Sequence, residues 1–201
     1  MNSSIRYVLA SSSPRRQDLL ASLHLDFEVL KPDFEEKLNS GETPGEYVLR
    51  NARGKAASSA SLLTKRPDIK YLVIGADTIV VLNQEILQKP ENEEHAYAML
   101  RKISGQTHLV LTGLCVASVL YDKETEYHTH IGSTHVTIKH MDDEEIRRYI
   151  RTGEPLDKAG SYGIQGYGAC LIREIMGSYT NVVGLPLTEL KEMLDQISQK
   201  P

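Results

Sequence analysis

The sequence contains few cysteines and no long run of apolar residues. Its 201 residues include two cysteines, Cys115 and Cys170, both in apolar segments and without the spacing of metal ligands. This usage predicts buried thiols rather than a disulfide and fits a reducing compartment. No apolar run approaches the ~18 to 20 residues that a membrane-spanning helix needs, and residues 1–7 lack the form of a signal peptide. We therefore expect a cytoplasmic protein without a membrane partner.

An excess of positive charge is also lacking. The formal net charge is −4, with 40% hydrophobic and 25% charged residues. This balance is typical of a globular protein and argues against a broad nucleic-acid-binding surface. The length of 201 residues suits one large domain, or two lobes that share a core. If the protein binds phosphate, it must do so through a small number of specifically positioned cationic side chains.

One acidic residue lies inside an apolar segment of strand length. Residues 72–81 are rich in β-branched side chains and predict a buried strand. Asp77 lies in its middle beside Thr78, and Gly75 leaves room for another group to approach. A buried carboxylate is costly unless it is paired or binds a metal. Asp77 is therefore either a structural residue bonded to backbone, or a functional carboxylate that binds a cation or acts as a base.

Two arginines stand at the predicted start of the first helix. Ser13 suits the N-cap of this helix and Pro14 its first position. Arg15 and Arg16 then place positive charges at the positive end of the helix dipole, where acidic residues would be stabilising. A local rule broken in this way often marks a functional site. Free backbone N–H groups, the guanidinium groups and serine hydroxyls such as that of Ser11 predict a polyphosphate cradle; the alternative is a solvated arginine pair.

The rest of the chain alternates predicted strands and helices, which indicates a single domain of the α/β class. Strands are predicted at residues 6–10, 26–30, 85–88, 106–121, 127–139 and 169–175, and helices at 43–63, 92–104 and 142–152 and from Pro186 onward. Within the second helix Gly54 is unfavourable by about 1 kcal/mol relative to alanine. His128 and His130 share a strand face, so a zinc site is conceivable there, but no acidic or cysteine partner has matching spacing.

A set of charged and amide side chains remains to be explained. It comprises cations at Arg15, Arg16, Lys55 and Lys89, carboxylates at Glu36 and Asp77, and the amide of Gln165 in a glycine-rich loop. Taken alone, the acidic loop around Glu36 is most simply a solvated loop. Cations together with a carboxylate pair indicate a metal-bridged polyphosphate, and the loop could read what the phosphates are attached to. The residues therefore predict phosphoanhydride chemistry without naming the substrate.

Six segments closely resemble the Maf family of nucleoside triphosphate pyrophosphatases, historically tied to septum formation. They are residues 10–16 (ASSSPRR), 75–78 (GADT), 88–90 (QKP), 104–108 (SGQTH), 157–166 (DKAGSYGIQG) and 183–186 (VGLP), in the family's order over nearly the whole chain. The resemblance implies hydrolysis between the α and β phosphorus atoms and a divalent cation, Mg²⁺ or Mn²⁺. It also implies a mixed, strongly bent β-sheet with flanking helices, in two lobes around a central cleft as in inosine triphosphatase. It is compatible with a homodimer.

The resemblance also implies roles for single residues. Asp77 matches the catalytic base and a metal ligand, and Glu36 a second metal-associated carboxylate. Lys55 and Lys89 match phosphate-contacting lysines, and Ser11, Arg15 and Arg16 belong to the phosphate-binding segment. Family members usually carry a larger polar residue where Gly54 stands, which puts a contact from that helix in doubt.

Three positions bear on the base. Family members that act on dTTP and UTP resemble this chain at Arg15, Thr78 and Gln165, whereas the branch that acts on 7-methyl-GTP has an aromatic residue, a glutamine and a glutamate there. The chemistry agrees, because a glutamine amide both donates to and accepts from a uracil or thymine edge. We therefore predict a dTTP/UTP pyrophosphatase. The alternatives are the same chemistry on 7-methyl-GTP or on a modified pyrimidine nucleotide, and a non-catalytic nucleotide-binding regulator of cell division.

Overall fold

The computed structural model describes residues 4–199, which form a mixed α/β fold. Within this range the strands are β1 (Ser4–Leu9), β2 (Phe27–Val29), β3 (Ile69–Leu82), β4 (Glu85–Leu87), β5 (Thr107–Val119), β6 (Glu126–Ile138) and β7 (Ile172–Met176). The α-helices are α1 (Pro14–Ala21), α2 (Pro44–Ser61), α3 (Glu93–Ile103), α4 (Asp143–Ile150), α5 (Tyr179–Val183) and α6 (Leu187–Ser198). Short 3-10 helices cover Glu154–Asp157, Ala159–Ser161 and Gly166–Leu171.

The strands form one mixed sheet in the order β2-β1-β3-β5-β6-β7, and β4 pairs with β3. Strand β1 runs parallel to both β2 and β3, with Leu9 opposite Ile74. Strand β4 runs antiparallel to β3, and strand β7 runs antiparallel to β6. The predicted class, a mixed α/β fold with flanking helices, is confirmed; the strong bend and the central cleft stay predictions.

The contacts within the chain divide it into two compact units. The first unit contains the described residues through Asp77, residues 112–132 and the described residues from Gly184 on; the second contains residues 78–111 and 133–183. The single-domain organisation stays a prediction. Among residues 4–199, no helix combines the length and the hydropathy needed to cross a membrane.

Up to Asp77, both faces of strand β3 are buried within the first unit. Alternate residues of a strand point to opposite sides of the sheet. Accordingly, Leu72 and Ile74 pack in one cluster with α6, whereas Val73 packs in another cluster with Ala52 and Ala56 of α2. Burial on both sides explains why the segment reads as a continuous apolar run. The second unit has its own core, built from β3 beyond Asp77 together with side chains of α3 and α4.

The predicted helix starts are confirmed. Thr43 and Glu46 form the reciprocal hydrogen bonds of a capping box at the start of α2. Asn92 and Asp142 each accept a hydrogen bond from the backbone N–H three residues later. Pro14 opens α1, as predicted. Local side-chain chemistry fixes these starts, which is why the sequence reveals them.

Two predictions need correction. The strand predicted at 169–175 begins only at Ile172, because residues 166–171 form a 3-10 helix. The prediction of two buried thiols was wrong for Cys170, which is exposed in that helix; Cys115 is buried, and both are free cysteines. Burial raises the pKa of the Cys115 thiol to about 12.

Candidate active site

Helix α2 approaches strand β3 closely because the strand has a glycine, Gly75, where the two elements meet. A Cβ atom at Gly75 would lie 2.3 Å from the carbonyl oxygen of Ala52 in α2. No side chain fits in that space, so glycine sets the spacing between the strand and the helix. Asp77 follows two residues later and is 4% exposed. The carboxylate therefore lies within reach of α2 and nearly out of solvent.

Both oxygens of Asp77 accept hydrogen bonds from one face of α2. Lys55 Nζ donates to Oδ1 at 2.7 Å, and Asn51 Nδ2 donates to Oδ2 at 2.8 Å. The two donors are four residues apart, which places them on the same side of the helix. Asn51 is fully buried and Lys55 is 7% exposed. The negative charge of Asp77 is thus paired and hydrogen-bonded, as a buried charge requires.

Lys55 also joins Asp77 to the second predicted carboxylate. Its Nζ lies 2.6 Å from Glu36 Oε1 and 3.5 Å from the carbonyl oxygen of Ala76. An ammonium group has three N–H donors, and here each has an acceptor. The structure therefore brings Glu36 and Asp77 to the same ammonium group, and their association with a metal stays a prediction.

The segment that carries Glu36 lies against α2 at the position of Gly54. A Cβ atom at Gly54 would lie 2.1 Å from Cε2 of the Phe34 ring. The ring thus occupies the space that a side chain at position 54 would need. One turn further on, Ser58 Oγ accepts from the N–H of Asp33 and donates to its carbonyl oxygen, at 2.9 and 3.1 Å. Gly54 therefore lets this segment pack closely enough for Glu36 to reach Lys55.

A bidentate ion pair holds the far end of the same segment. Arg50 Nε and Nη2 donate to the two carboxylate oxygens of Glu42 at 2.6 and 2.8 Å. Hydrogen bonding from Arg50 lowers the pKa of the Glu42 carboxyl below its usual value, and the same bond raises the pKa of Arg50. Arg50 Nη2 also donates to the carbonyl oxygen of Lys37. The acidic loop is therefore attached to α2 on both sides of Glu36.

The start of α1 carries positive charge. Ser13 is the N-cap, but its side chain makes no capping hydrogen bond, and the first turn contains no acidic residue. Ser11 is 5% exposed, and its Oγ accepts from the N–H of Ser13 at 3.2 Å. Arg15 is half-buried in the first turn of the helix. This end of α1 is thus electropositive and lacks a carboxylate of its own.

Arg16 connects the start of α1 to the carboxylates. Its Nε donates to the carbonyl oxygen of Gly184 at 2.8 Å, and its Nη1 donates to Ser11 Oγ at 3.4 Å. Burial lowers the pKa of the Arg16 guanidinium, and the charges of Asp77 and Glu36 oppose that shift. The guanidinium therefore lies within electrostatic range of both carboxylates.

The predicted site residues fall into two groups. The first unit brings together Ser11, Arg16, Glu36, Lys55 and Asp77, with Arg15 on the same helix as Arg16. The second unit contains Thr78, which is half-buried directly after Asp77, and Lys89 and Gln165, which are both exposed. The roles predicted for the residues of both units stay predictions.

Sequence reasoning missed Asn51. Its amide is fully buried, and its Oδ1 has no hydrogen-bond partner. The available signal was a polar residue on the apolar face of a predicted helix, four positions before a lysine already selected as a site residue. Among residues 4–199, no group of three or more His, Cys, Asp or Glu side chains could hold a metal ion.

Comparison with known proteins identifies the family. The family model described as Maf-like protein matches residues 6–197. The chain belongs to the Maf family. It is 47% identical over 190 residues to the dTTP/UTP pyrophosphatase of Escherichia coli O157:H7, a match covering 94% of this chain and 92% of that protein. It is 44% identical over 186 residues to the Photorhabdus laumondii protein of the same name, covering 92% of this chain and 91% of that protein.

A solved structure supports the fold of this Maf protein. The Ham1 protein of Staphylococcus aureus superposes with a TM-score of 0.51, over 95% of this chain and 98% of that protein. The two sequences are 17% identical. At this identity the likeness concerns the fold alone.

Proposed function

We propose that this Maf protein hydrolyses dTTP and UTP to the nucleoside monophosphate and pyrophosphate. The observation that carries the proposal is the likeness, at 47% identity over 94% of the chain, to a protein named dTTP/UTP pyrophosphatase. The carboxylates and cations grouped in the first unit support it, because they are the groups that phosphoanhydride hydrolysis needs.

In this proposal Asp77 acts as the base that orients and deprotonates the attacking water. A carboxylate has about four acceptor sites, and Asn51 and Lys55 use one on each oxygen. Acceptor sites remain for a proton of water. The two hydrogen bonds also hold the carboxylate in a fixed orientation, which favours proton transfer from water to a carboxylate oxygen of Asp77.

The cations would neutralise the charge that develops on the phosphate oxygens. Arg16 and Lys55 lie in the neighbourhood of Asp77, and Arg15 adds a positive charge in the first turn of α1. We assign phosphate binding to them together with Ser11, Arg15 and, by family resemblance, Lys89. We also assign base recognition to Arg15, Thr78 and Gln165.

A divalent cation is part of the proposal, and the residues present fit it. Glu36 and Asp77 direct carboxylate oxygens at one ammonium group, so their oxygens converge on a positive charge. Asn51 adds a buried amide oxygen without a hydrogen-bond partner beside Asp77. Mg²⁺ and Mn²⁺ prefer oxygen ligands, and Mg²⁺ is commonly held by one or two carboxylates together with substrate phosphates. Glu36 and Asp77 would hold the ion, which would neutralise phosphate charge as a Lewis acid.

A pyrophosphate-release assay over dTTP, UTP, CTP and 7-methyl-GTP tests the proposal. We expect turnover of dTTP and UTP that stops with EDTA and returns with Mg²⁺ or Mn²⁺. A preference for 7-methyl-GTP would contradict the roles given to Arg15, Thr78 and Gln165 while keeping the chemistry. Nucleotide binding without pyrophosphate release from any of the four would contradict the enzymatic function and favour a regulator of division.

A further inference from the structure

In the second unit, a carboxylate holds the backbone of the segment that carries Gln165. Glu154 lies at the start of the 3-10 helix Glu154–Asp157. Its Oε2 accepts from the N–H of Tyr167 at 2.9 Å, and its Oε1 accepts from the N–H of Gly168 at 3.0 Å. Hydrogen bonds to an ionised acceptor are stronger than those between neutral groups. The C-terminal side of the segment is therefore fixed by one side chain.

Tyr149 fixes the N-terminal side of the same segment. Its Oη accepts from the N–H of Gly163 at 3.1 Å and donates to Glu154 Oε1 at 2.9 Å. The Tyr149 ring is fully buried in the core of the second unit and stacks on Tyr167 at a centroid distance of 5.8 Å. The anchor formed by Glu154 and Tyr149 is thus tied to a rigid core.

Two glycines of the segment allow this close packing. Gly166 has a φ of +70°, and a Cβ atom there would lie 2.6 Å from Glu154 Oε2. A Cβ atom at Gly168 would lie 2.6 Å from Tyr149 Oη. The anchor and the glycines therefore form one device, in which the backbone passes directly over the polar atoms of Glu154 and Tyr149.

Gln165 lies between the anchored positions, and its side chain is exposed. Because Gly163 is held on one side and Tyr167 and Gly168 on the other, the Cα of Gln165 has little freedom. An amide that must meet the edge of a base benefits from a fixed backbone, since positional error weakens hydrogen bonds steeply.

We propose that Glu154 and Tyr149 are positioning residues that set base selectivity by fixing the backbone of Gln165. This inference rests on the proposed function, because it takes Gln165 as the residue that contacts the base. Thymine and guanine both present a carbonyl oxygen beside a ring N–H, so a glutamine amide can pair with either. A Gln165 amide with a fixed position distinguishes thymine from guanine because the hydrogen-bonding edges of the two bases lie at different places. A mobile Gln165 can follow either edge and distinguishes the two bases less well.

The test compares kcat and KM for dTTP and dGTP in Glu154→Gln, Tyr149→Phe and Gln165→Ala. Glu154→Gln keeps the size of the side chain but turns an N–H group toward a backbone donor, and Tyr149→Phe keeps the buried ring but removes the hydroxyl. Glu145→Gln is the matched control, because it breaks a 2.7 Å ion pair with Lys139 in the same unit. We expect the dTTP-to-dGTP ratio of kcat/KM to fall about tenfold in the first two variants, through KM for dTTP.

The selectivity ratio does not depend on the fraction of folded enzyme, so general destabilisation leaves it unchanged. In parallel, hydrogen exchange of residues 163–168 without nucleotide should be faster in Glu154→Gln than in the wild type and in Glu145→Gln. An unchanged ratio or unchanged exchange in Glu154→Gln overturns the inference. An unchanged ratio in Gln165→Ala also overturns it. If the wild-type enzyme is inactive on dTTP and UTP, the proposed function is refuted. The hydrogen-exchange result then still shows whether Glu154 fixes the backbone of residues 163–168.

Discussion

Replacing Gly54 with alanine would place a methyl group inside the space of the Phe34 ring. The new Cβ atom would lie 2.1 Å from Cε2 and 2.4 Å from Cζ of that ring, whereas carbon atoms in contact sit about 3.5 to 4.0 Å apart. The ring must therefore move. Overpacking of this kind costs about 1 to 3 kcal/mol, while alanine gains about 1 kcal/mol over glycine within a helix. The two effects oppose each other.

A double-mutant cycle separates the two effects. Urea unfolding is measured for the wild type, Gly54→Ala, Phe34→Ala and the double variant. Without the Phe34 ring, Gly54→Ala should raise the free energy of unfolding by about 1 kcal/mol. With the ring, it should leave that free energy unchanged or lower it by up to about 2 kcal/mol, which gives a coupling energy of at least about 1 kcal/mol. Equal stabilisation in both backgrounds would refute the packing of Phe34 over Gly54.

Other parts of the structure lead to further predictions. Asn51→Leu removes the donor to Asp77 Oδ2 and should lower the free energy of unfolding by about 1.5 to 3 kcal/mol, which urea unfolding measures. In steady-state kinetics with dTTP, the same variant should change kcat more than it changes KM. Burial lowers the pKa of His108 to about 4, so the unfolded chain binds a proton first as the pH falls. The contribution of His108 to the free energy of unfolding should therefore be fully present above about pH 6.5 and be lost as the pH falls toward 4. In unfolding measurements, His108→Gln should make the free energy of unfolding decline less steeply over this range. A maleimide reagent should label the exposed Cys170 in the native protein and Cys115 only after unfolding, as mass spectrometry would show.

Local chemistry made much of the fold predictable. The capping box at Thr43, the caps at Asn92 and Asp142, and the apolar run of β3 each depend on residues close in sequence. The 3-10 helix at residues 166–171 was not predictable in the same way, because Tyr149 and Glu154 shape that backbone from outside the segment. The exposure of Cys170 follows from that helix.

The candidate site was predictable as a list of residues more than as an arrangement. Resemblance to the family pointed to Asp77, Lys55 and Glu36, but the ion pairs that join them depend on how a loop packs on α2. Asn51 has no motif of its own, and its role becomes visible only from its distance to Asp77. Gly54 is unfavourable for the helix by itself, and its place is explained by Phe34, twenty residues earlier in the chain.

The most direct test of the account is the rate of pyrophosphate release from dTTP by Asp77→Asn. Asp68→Asn is the control, because it makes the same chemical change at a carboxylate of the first unit that is 64% exposed. Product analysis should show dTMP and pyrophosphate in equal amounts, and Asp77→Asn should lower kcat by about 10² to 10⁴ while the control keeps its rate. Full activity in Asp77→Asn, or release of dTDP and phosphate by the wild type, would contradict the account.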